Sequence, residues 1–341
     1  MAHKQQTAAI SSRIRFARNL TGFPFPTRMN ERQRRDLCEK VRAAFFSANS
    51  NMGRDYDYID MDSLPEIQVL AMAEEHLISP EFARGPKGRG LIVNKSKNVS
   101  IMICEEDHLR IQVLEKGLGL EAAYRTAKQL DRLLGEKLGY AYSEQWGYLT
   151  SCHTNVGTGM RASVMLHLPA ITALHAVDKL VSETGRLGVT VRGVYGEGSQ
   201  AEGDLYQLSN RITLGVNEHE TLERLGEVIQ SVISEEARLL KYWRDANPLV
   251  FEDKVLRAWG ALQSARLMNG AEFLKYYSLC RTGLASGLLK GGLDTLDELF
   301  AQTRPASIAA RQGRALEPAE RDTIRANMCR EALRGMKPNI E

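Results

Sequence analysis

An α+β fold is predicted for this 341-residue chain, and two observations carry the prediction. Short apolar runs rich in β-branched residues follow one another closely enough to pair as hairpins, without regular βαβ alternation, and the last quarter of the sequence is helical throughout. Length adds a third constraint. Beyond about 250 to 300 residues a single core stops growing, so a larger domain with a smaller companion is expected.

Taken in order, "SSRIRFAR" places Arg13 and Arg15 at period two, which puts both on one face of a strand. "GLIVN" (90–94), "NVSIMICEE" (98–106) and "HLRIQVLE" (108–115) read as strands. Little but Asp107 separates the last two, so they form a hairpin. "LEAAYRTAKQLDRLLGEKLG" (120–139) has apolar residues at helical spacing. Strands follow at 162–169, 188–196 and 204–210, with helices at about 170–185 and about 218–243. From about Trp243 onward the pattern is helical, punctuated by "KGG" (290–292), Pro305 and Pro318. The resulting division is 1–245 and a helical region 246–341. No repeat of 20 to 50 residues and no low-complexity segment interrupts it.

Composition narrows the class. With 43% hydrophobic residues, 26% charged residues and a formal net charge of +3, nothing in the bulk charge calls for direct nucleic-acid or membrane binding. Five cysteines, Cys38, Cys104, Cys152, Cys280 and Cys329, are scattered and never form CxxC, which fits reduced thiols and a cytoplasmic protein. The first residues lack a secretory apolar core, and no run approaches the roughly 18 apolar residues of a membrane span.

Chemistry-bearing residues gather in four stretches: Arg13 and Arg15; Glu105, Glu106 and Arg110 in "CEEDHLR"; Cys152 and Arg161 in "SCHTNVGTGMR"; and Arg192 with Glu197 in "VRGVYGEG". Arginine meets phosphate oxygens bidentately and stays charged, so five converging arginines suit a polyphosphate. Each stretch alone has an ordinary reading. The Arg13/Arg15 pair reads as a solvated strand edge, "EEDH" as a hydrogen-bonded turn, and Cys152 as a buried small hydrophobe. Gly157 and Gly159 fit neither GxxxxGK[ST] nor GxGxxG. Pattern alone leaves these ordinary readings ahead.

The joint occurrence changes the balance. In order, "SSRIRFAR", "EEDHLRI", "CHTNVGTGMRASV" and "VRGVYGEG" resemble the signature blocks of the phosphagen (guanidino) kinase catalytic domain, the family of creatine and arginine kinases, over about residues 10–240. The resemblance implies a largely antiparallel sheet flanked by helices. It implies that Arg13, Arg15, Arg110, Arg161 and Arg192 bind ATP phosphates, and that Glu106 orients the guanidinium and acts as base. Glu197 matches the second guanidinium-binding carboxylate, Cys152 the thiol near the substrate, and Glu105 a residue that orders Mg2+ through water. Chemistry agrees: a guanidinium is no nucleophile until a nitrogen loses its proton, and phosphoryl transfer otherwise needs positioning and charge neutralisation.

Two departures select a branch. Only about a dozen residues precede Arg13, so the helical lid domain of the small-metabolite kinases is not expected, and a C-terminal helical region stands instead. This arrangement resembles the bacterial protein-arginine kinases, whose targets are arginine side chains of proteins. In that branch an RDxxRA segment binds phosphoarginine, which assigns Arg321, Asp322 and Arg325 of "RDTIRA" to such a site. Its ordinary reading is a solvated helix face, since Arg321 and Arg325 lie at i and i+4. The apolar positions of the C-terminal helices read as a local core, with a homodimer seam as the implied alternative. Met165, where arginine kinases carry histidine near the adenine, leaves base recognition open.

The resemblance further implies protein substrates, a zinc-binding activator protein, a Clp-type unfoldase and a heat-shock repressor as partners. Two other functions compete: a kinase of free arginine or another small guanidine, and a catalytically silent adaptor that binds phosphoarginine.

Overall fold

The computed structural model describes residues 7–47, 52–193 and 201–339. The chain divides into two compact units, a sheet unit formed by Ser11–Ser163 with Ser209–Gly226, and a helical unit formed by Met1–Ile10, Val164–Leu208 and Glu227–Glu341. This differs from the 1–245/246–341 partition, because residues 164–208 pack with the C-terminal helices.

The sheet unit is built on β1 (Ala9–Arg18), β2 (Tyr56–Asp60), β3 (Gly90–Asn94), β4 (Val99–Ile103) and β5 (Leu109–Lys116), followed by β8 (Met160–His167). Their order is β2-β3-β4-β5-β1-β8, so β1 is an interior strand and the solvated-edge reading of its arginines fails. Antiparallel register sets Arg15 opposite Gln112 and Ala17 opposite Arg110 on β5, with Arg110 in turn opposite Met102 on β4. β3 and β4 are apolar without alternation because both faces are covered. One face meets α1 (Glu31–Phe46), opened by an Asn30/Gln33 capping box, and α4 (Leu120–Leu138) lies against β5. On α4 Leu120, Ala123, Ala127, Leu130, Leu134 and Leu138 are buried at helical spacing. A second cluster, including Phe82, Leu91, Val93 and Met102, packs under α2 (Glu66–Glu74) and α3 (Pro80–Arg84).

Arg18, at the end of β1, is wholly buried. It donates to both Asp131 oxygens at 2.8 and 2.9 Å and to the Thr158 carbonyl at 3.0 Å, and lies 3.5 Å above the Tyr148 ring. Tyr148 belongs to β7 (Gly147–Tyr148), which pairs with β6 (Tyr142–Ser143).

In the helical unit the rest of β8 is followed in the sheet by β10 (Leu205–Asn210) and then β9 (Val189–Gly193). The helix expected at 170–185 is two, α5 (Pro169–Ala173) and α6 (Val177–Arg186), broken where His175 takes φ +56°. Glu236 on α7 (Glu218–Ala246) accepts hydrogen bonds from the Ala170 and Ile171 amides at 2.8 and 3.0 Å, anchoring α5. The C-terminal helices α8 (Pro248–Ser264), α9 (Gly270–Ser286), α10 (Leu293–Gln302), α11 (Pro305–Gln312) and α12 (Pro318–Ala332) enclose one core containing Phe251, Val255, Phe273, Tyr277, Phe300 and Cys329. Gly283 permits the closest approach: a Cβ there would lie 2.5 Å from Val255 Cγ1. Among the described residues no helix is long and apolar enough to cross a membrane.

Candidate active site

Four of the sequence-predicted arginines meet in the sheet unit. Arg13 and Arg15 leave the same face of β1, Arg110 sits diagonally from Arg15 on β5, and Arg161 projects from β8 with its Nη2 donating to Ser209 Oγ at 3.2 Å. Burial drives the Arg15 proton affinity well below that of an ordinary arginine. The charges of Arg13, Arg110 and Arg161 push it the same way, against which Glu105 acts as counter-ion. Cations this close repel unless an anion sits among them, which is the electrostatic requirement of a polyphosphate site.

The strands β4 and β5 are joined by a turn in which Cys104 adopts φ +65° and its amide donates to the His108 carbonyl at 3.0 Å. Glu105 is drawn inward: Ser79 Oγ donates to it at 2.6 Å, the Glu106 amide at 2.8 Å, and Arg110 Nη1 pairs with it. Glu106 is exposed, 3.8 Å from Arg110 Nη2. Partial burial raises its proton affinity above that of an ordinary carboxylate, as do Asp107, Glu105 and Glu81, with Arg110 opposing. A carboxylate so placed is a stronger base than one in water.

Cys152 is half-buried, and its Sγ lies 3.0 Å from Thr154 Oγ1. The loop that carries it is held at several points. Thr213 Oγ1 donates to the Thr154 and Val156 carbonyls at 2.9 and 2.8 Å, and the Tyr148 amide bonds the Gly157 carbonyl at 2.8 Å. Gly157 has φ +110°, and a Cβ on it would lie 2.1 Å from the Thr213 carbonyl oxygen, so this glycine serves close backbone packing. The Ser151 amide donates to Asp107 Oδ1 at 2.7 Å, joining the thiol loop to the acidic turn.

Arg192 is exposed on β9 of the helical unit, and Glu197 lies outside the described residues. On α12, Arg321 and Asp322 are half-exposed, but Arg325 is buried. Arg325 Nε donates to the Thr303 carbonyl at 3.0 Å, and its Nη1 to the Met268 carbonyl and to Asp322 Oδ1, both at 2.7 Å. Arg325 therefore does not share a solvated helix face with Arg321, although the two lie at i and i+4. Buried carbonyls at the ends of neighbouring segments demand donors, and Arg325 supplies them.

Sequence reasoning missed Asn19, Ser79, Asp107, Ser209 and Thr213. Ser79 was legible as an N-cap before Pro80, since it accepts from the Phe82 amide at 3.0 Å. Its second bond, to Glu105, was not.

Among the described residues no three His, Cys, Asp or Glu side chains gather to hold a metal directly. Glu105 already accepts three hydrogen bonds. The donor set thus fits Mg2+ only in the mode in which phosphate and water supply its inner ligands.

Residues 36–239 match the ATP:guanido phosphotransferase, C-terminal catalytic domain, and residues 248–341 match the protein-arginine kinase McsB C-terminal domain. The chain is 42% identical over 332 residues to a protein-arginine kinase of Halothermothrix orenii (96% of this chain, 94% of the relative). It is 38% identical over 325 residues to that of Bacillus subtilis (95% and 89%). Among solved structures, the duplicated taurocyamine kinase from Schistosoma mansoni with bound transition state analog components has a TM-score of 0.61 at 26% identity, covering 69% of this chain and 34% of that one. Lombricine kinase shares the fold at a TM-score of 0.60 and 24% identity, covering 69% and 67%. With two family domains spanning nearly all its length and relatives above the level at which homology is in doubt, the chain belongs to the ATP:guanido phosphotransferase family, in its protein-arginine kinase branch.

Proposed function

We propose that this enzyme transfers the γ-phosphoryl group of ATP to a guanidino nitrogen of arginine side chains in proteins. The observation that carries the reading is the crowding of Arg13, Arg110 and Arg161 around Arg15, on the sheet face that also bears the Glu105–Glu106 turn. These arginines hold the phosphates and take up the charge that spreads over the transferring group. Mg2+, when bound to the nucleotide, supplies further neutralisation, with Glu105 as an outer acceptor. Glu106 aligns the incoming guanidinium and accepts the proton from the attacking nitrogen as the N–P bond forms and the bond to the ADP oxygen breaks. Cys152 stays a positioning group, with no bond formed to sulfur. Arg192 and Glu197 match the family's further phosphate-binding and guanidinium-binding residues by motif.

The C-terminal helices, 246–341, are proposed as a regulatory region that carries phosphoarginine recognition through Arg321 and Asp322, with Arg325 as the clamp that orients Asp322, and that forms a homodimer seam. A cytoplasmic location fits five cysteines that are all free thiols. Partnership with a zinc-binding activator, a Clp-type unfoldase and a heat-shock repressor rests on the branch resemblance.

Incubation with ATP, Mg2+ and either an unfolded protein or free arginine tests the reading through acid-labile phosphate. Label on protein arginine is expected. Label on free arginine alone returns the small-guanidine kinase, and no label returns the silent adaptor.

A further inference from the structure

We propose that Asp107 is a positioning residue that holds the Cys152 loop against the Glu105–Glu106 turn, fixing thiol and carboxylate relative to one another. This rests on the reading above, in which Glu106 and Cys152 flank the guanidinium. Asp107 is 2% exposed, and one of its oxygens, Oδ1, accepts from the Ser151 amide at 2.7 Å and from Asn19 Nδ2 at 2.6 Å. Ser151 directly precedes Cys152, and Asp107 directly follows Glu106. A single hydrogen bond therefore couples the immediate neighbours of both groups.

Asn19 extends the junction. Its Nδ2 also donates to the Leu149 carbonyl at 3.0 Å, and its Oδ1 accepts the His108 amide at 2.9 Å. His108 Nδ1 accepts from the Leu20 amide at 2.9 Å. The end of the strand that carries Arg13 and Arg15, the acidic turn and the thiol loop thus meet at one buried carboxylate. The far side of the loop is held independently by Thr213 and Tyr148, so loss of Asp107 loosens the Cys152 side, which keeps only the Asn19 bond to the Leu149 carbonyl and short-range bonds such as Thr150 Oγ1 to the Cys152 carbonyl at 2.7 Å, while the other side stays tethered. A charged acceptor makes the stronger bond to a backbone amide, which suits a joint that must not drift during transfer.

The test compares Asp107→Ala and Asp107→Asn in the full-length enzyme, with Glu106→Gln alongside. Four quantities are read: kcat, KM for ATP, the rate of Cys152 alkylation by iodoacetamide, and the melting temperature. For Asp107→Ala, kcat is expected to fall about 100-fold, the scale of an ångström-sized misplacement. Its KM for ATP should hardly change, and Cys152 should alkylate faster than in the wild type. Asp107→Asn keeps an acceptor oxygen and should restore most of kcat and the wild-type alkylation rate. Unchanged alkylation in Asp107→Ala, or Asp107→Asn as damaging as Asp107→Ala, would overturn the proposal. So would a loss of activity accounted for wholly by unfolded protein. Should the alanine variant not fold, hydrogen exchange at the Ser151 amide of the wild type decides: protection is expected, and exchange at the rate of a free amide refutes the bond. Near-normal turnover in Glu106→Gln would instead remove the underlying reading, leaving alkylation and amide exchange to judge the joint itself.

Discussion

Replacing Glu236 with glutamine isolates one buried carboxyl whose effect on stability has a definite sign. Glu236 is 4% exposed, and burial, against the two α5 amides that it accepts, raises its pKa from 4.5 to about 7. In the unfolded chain it ionises near 4.5, so between about pH 4.5 and 7 the native state holds the extra proton. Stability falls as pH rises through that window. At about 1.4 kcal/mol per tenfold in proton affinity the whole effect is about 3 kcal/mol, or roughly 4 to 5 °C in Tm for a chain of this length. His108 and His167, whose burial lowers their proton affinity, act with the opposite sign below about pH 6.5, so the wild-type slope is a sum. The difference between wild type and Glu236→Gln removes the shared part. Glutamine has one acceptor oxygen for two amides and loses about 1 kcal/mol at every pH. The variant is therefore expected to be the less stable protein at pH 4 and the more stable one at pH 8, with the curves crossing at about pH 5. Thermal unfolding followed by circular dichroism from pH 4 to 8 measures it. Parallel curves would refute the assignment of the proton to Glu236.

The other expectations concern the site and its support. Glu106→Gln should abolish transfer while nucleotide affinity stays near wild type, measured by calorimetry, because the amide accepts no proton. Arg161→Lys should not restore turnover, since an ammonium lacks the planar fork that meets both phosphate oxygens and Ser209. Gly157→Ala should leave a folded but strongly impaired enzyme, because its methyl group meets the Thr213 carbonyl at 2.1 Å and the thiol loop must move; normal activity would show that the loop tolerates the shift. Arg325→Ala should destabilise the chain by about 3 kcal/mol, through two buried carbonyls left without a donor and Asp322 left without its pair. Denaturant unfolding checks this, and a change below 1 kcal/mol would show that these hydrogen bonds are not what holds the segment.

Much of this was legible before any coordinates. β3 falls at the bounds that its apolar run sets, and α4 ends one residue short of its periodic stretch. Where the reading failed, long-range geometry was the missing term. The Arg13/Arg15 pair looked like an edge because nothing local says that β5 and β8 flank it; that depends on pairing between distant segments. The helix at 170–185 breaks at His175, whose left-handed backbone is not announced by a glycine. Arg321 and Arg325 obey helical spacing, yet tertiary demand turns one inward. The acids of "EEDH" were visible as a group, but the sharing of labour among them was not. Glu105 braces Arg110, Glu106 faces outward and Asp107 grips another loop only because Ser79, Arg110 and Ser151 arrive from separate parts of the chain.

The cationic face of β1, β5 and β8 separates grip from discrimination. Like charges packed at the centre of a sheet have no slack with which to relax, so any compact polyanion gains by settling there, whatever base or sugar it carries. If these arginines hold the nucleotide as proposed, inorganic triphosphate and ATP compete for the same purchase, background salt weakens both alike, and choosing the adenine falls to contacts outside this face. The two properties can thus drift independently, with nucleotide preference free to change while the means of holding phosphate stays anchored in the middle of the fold.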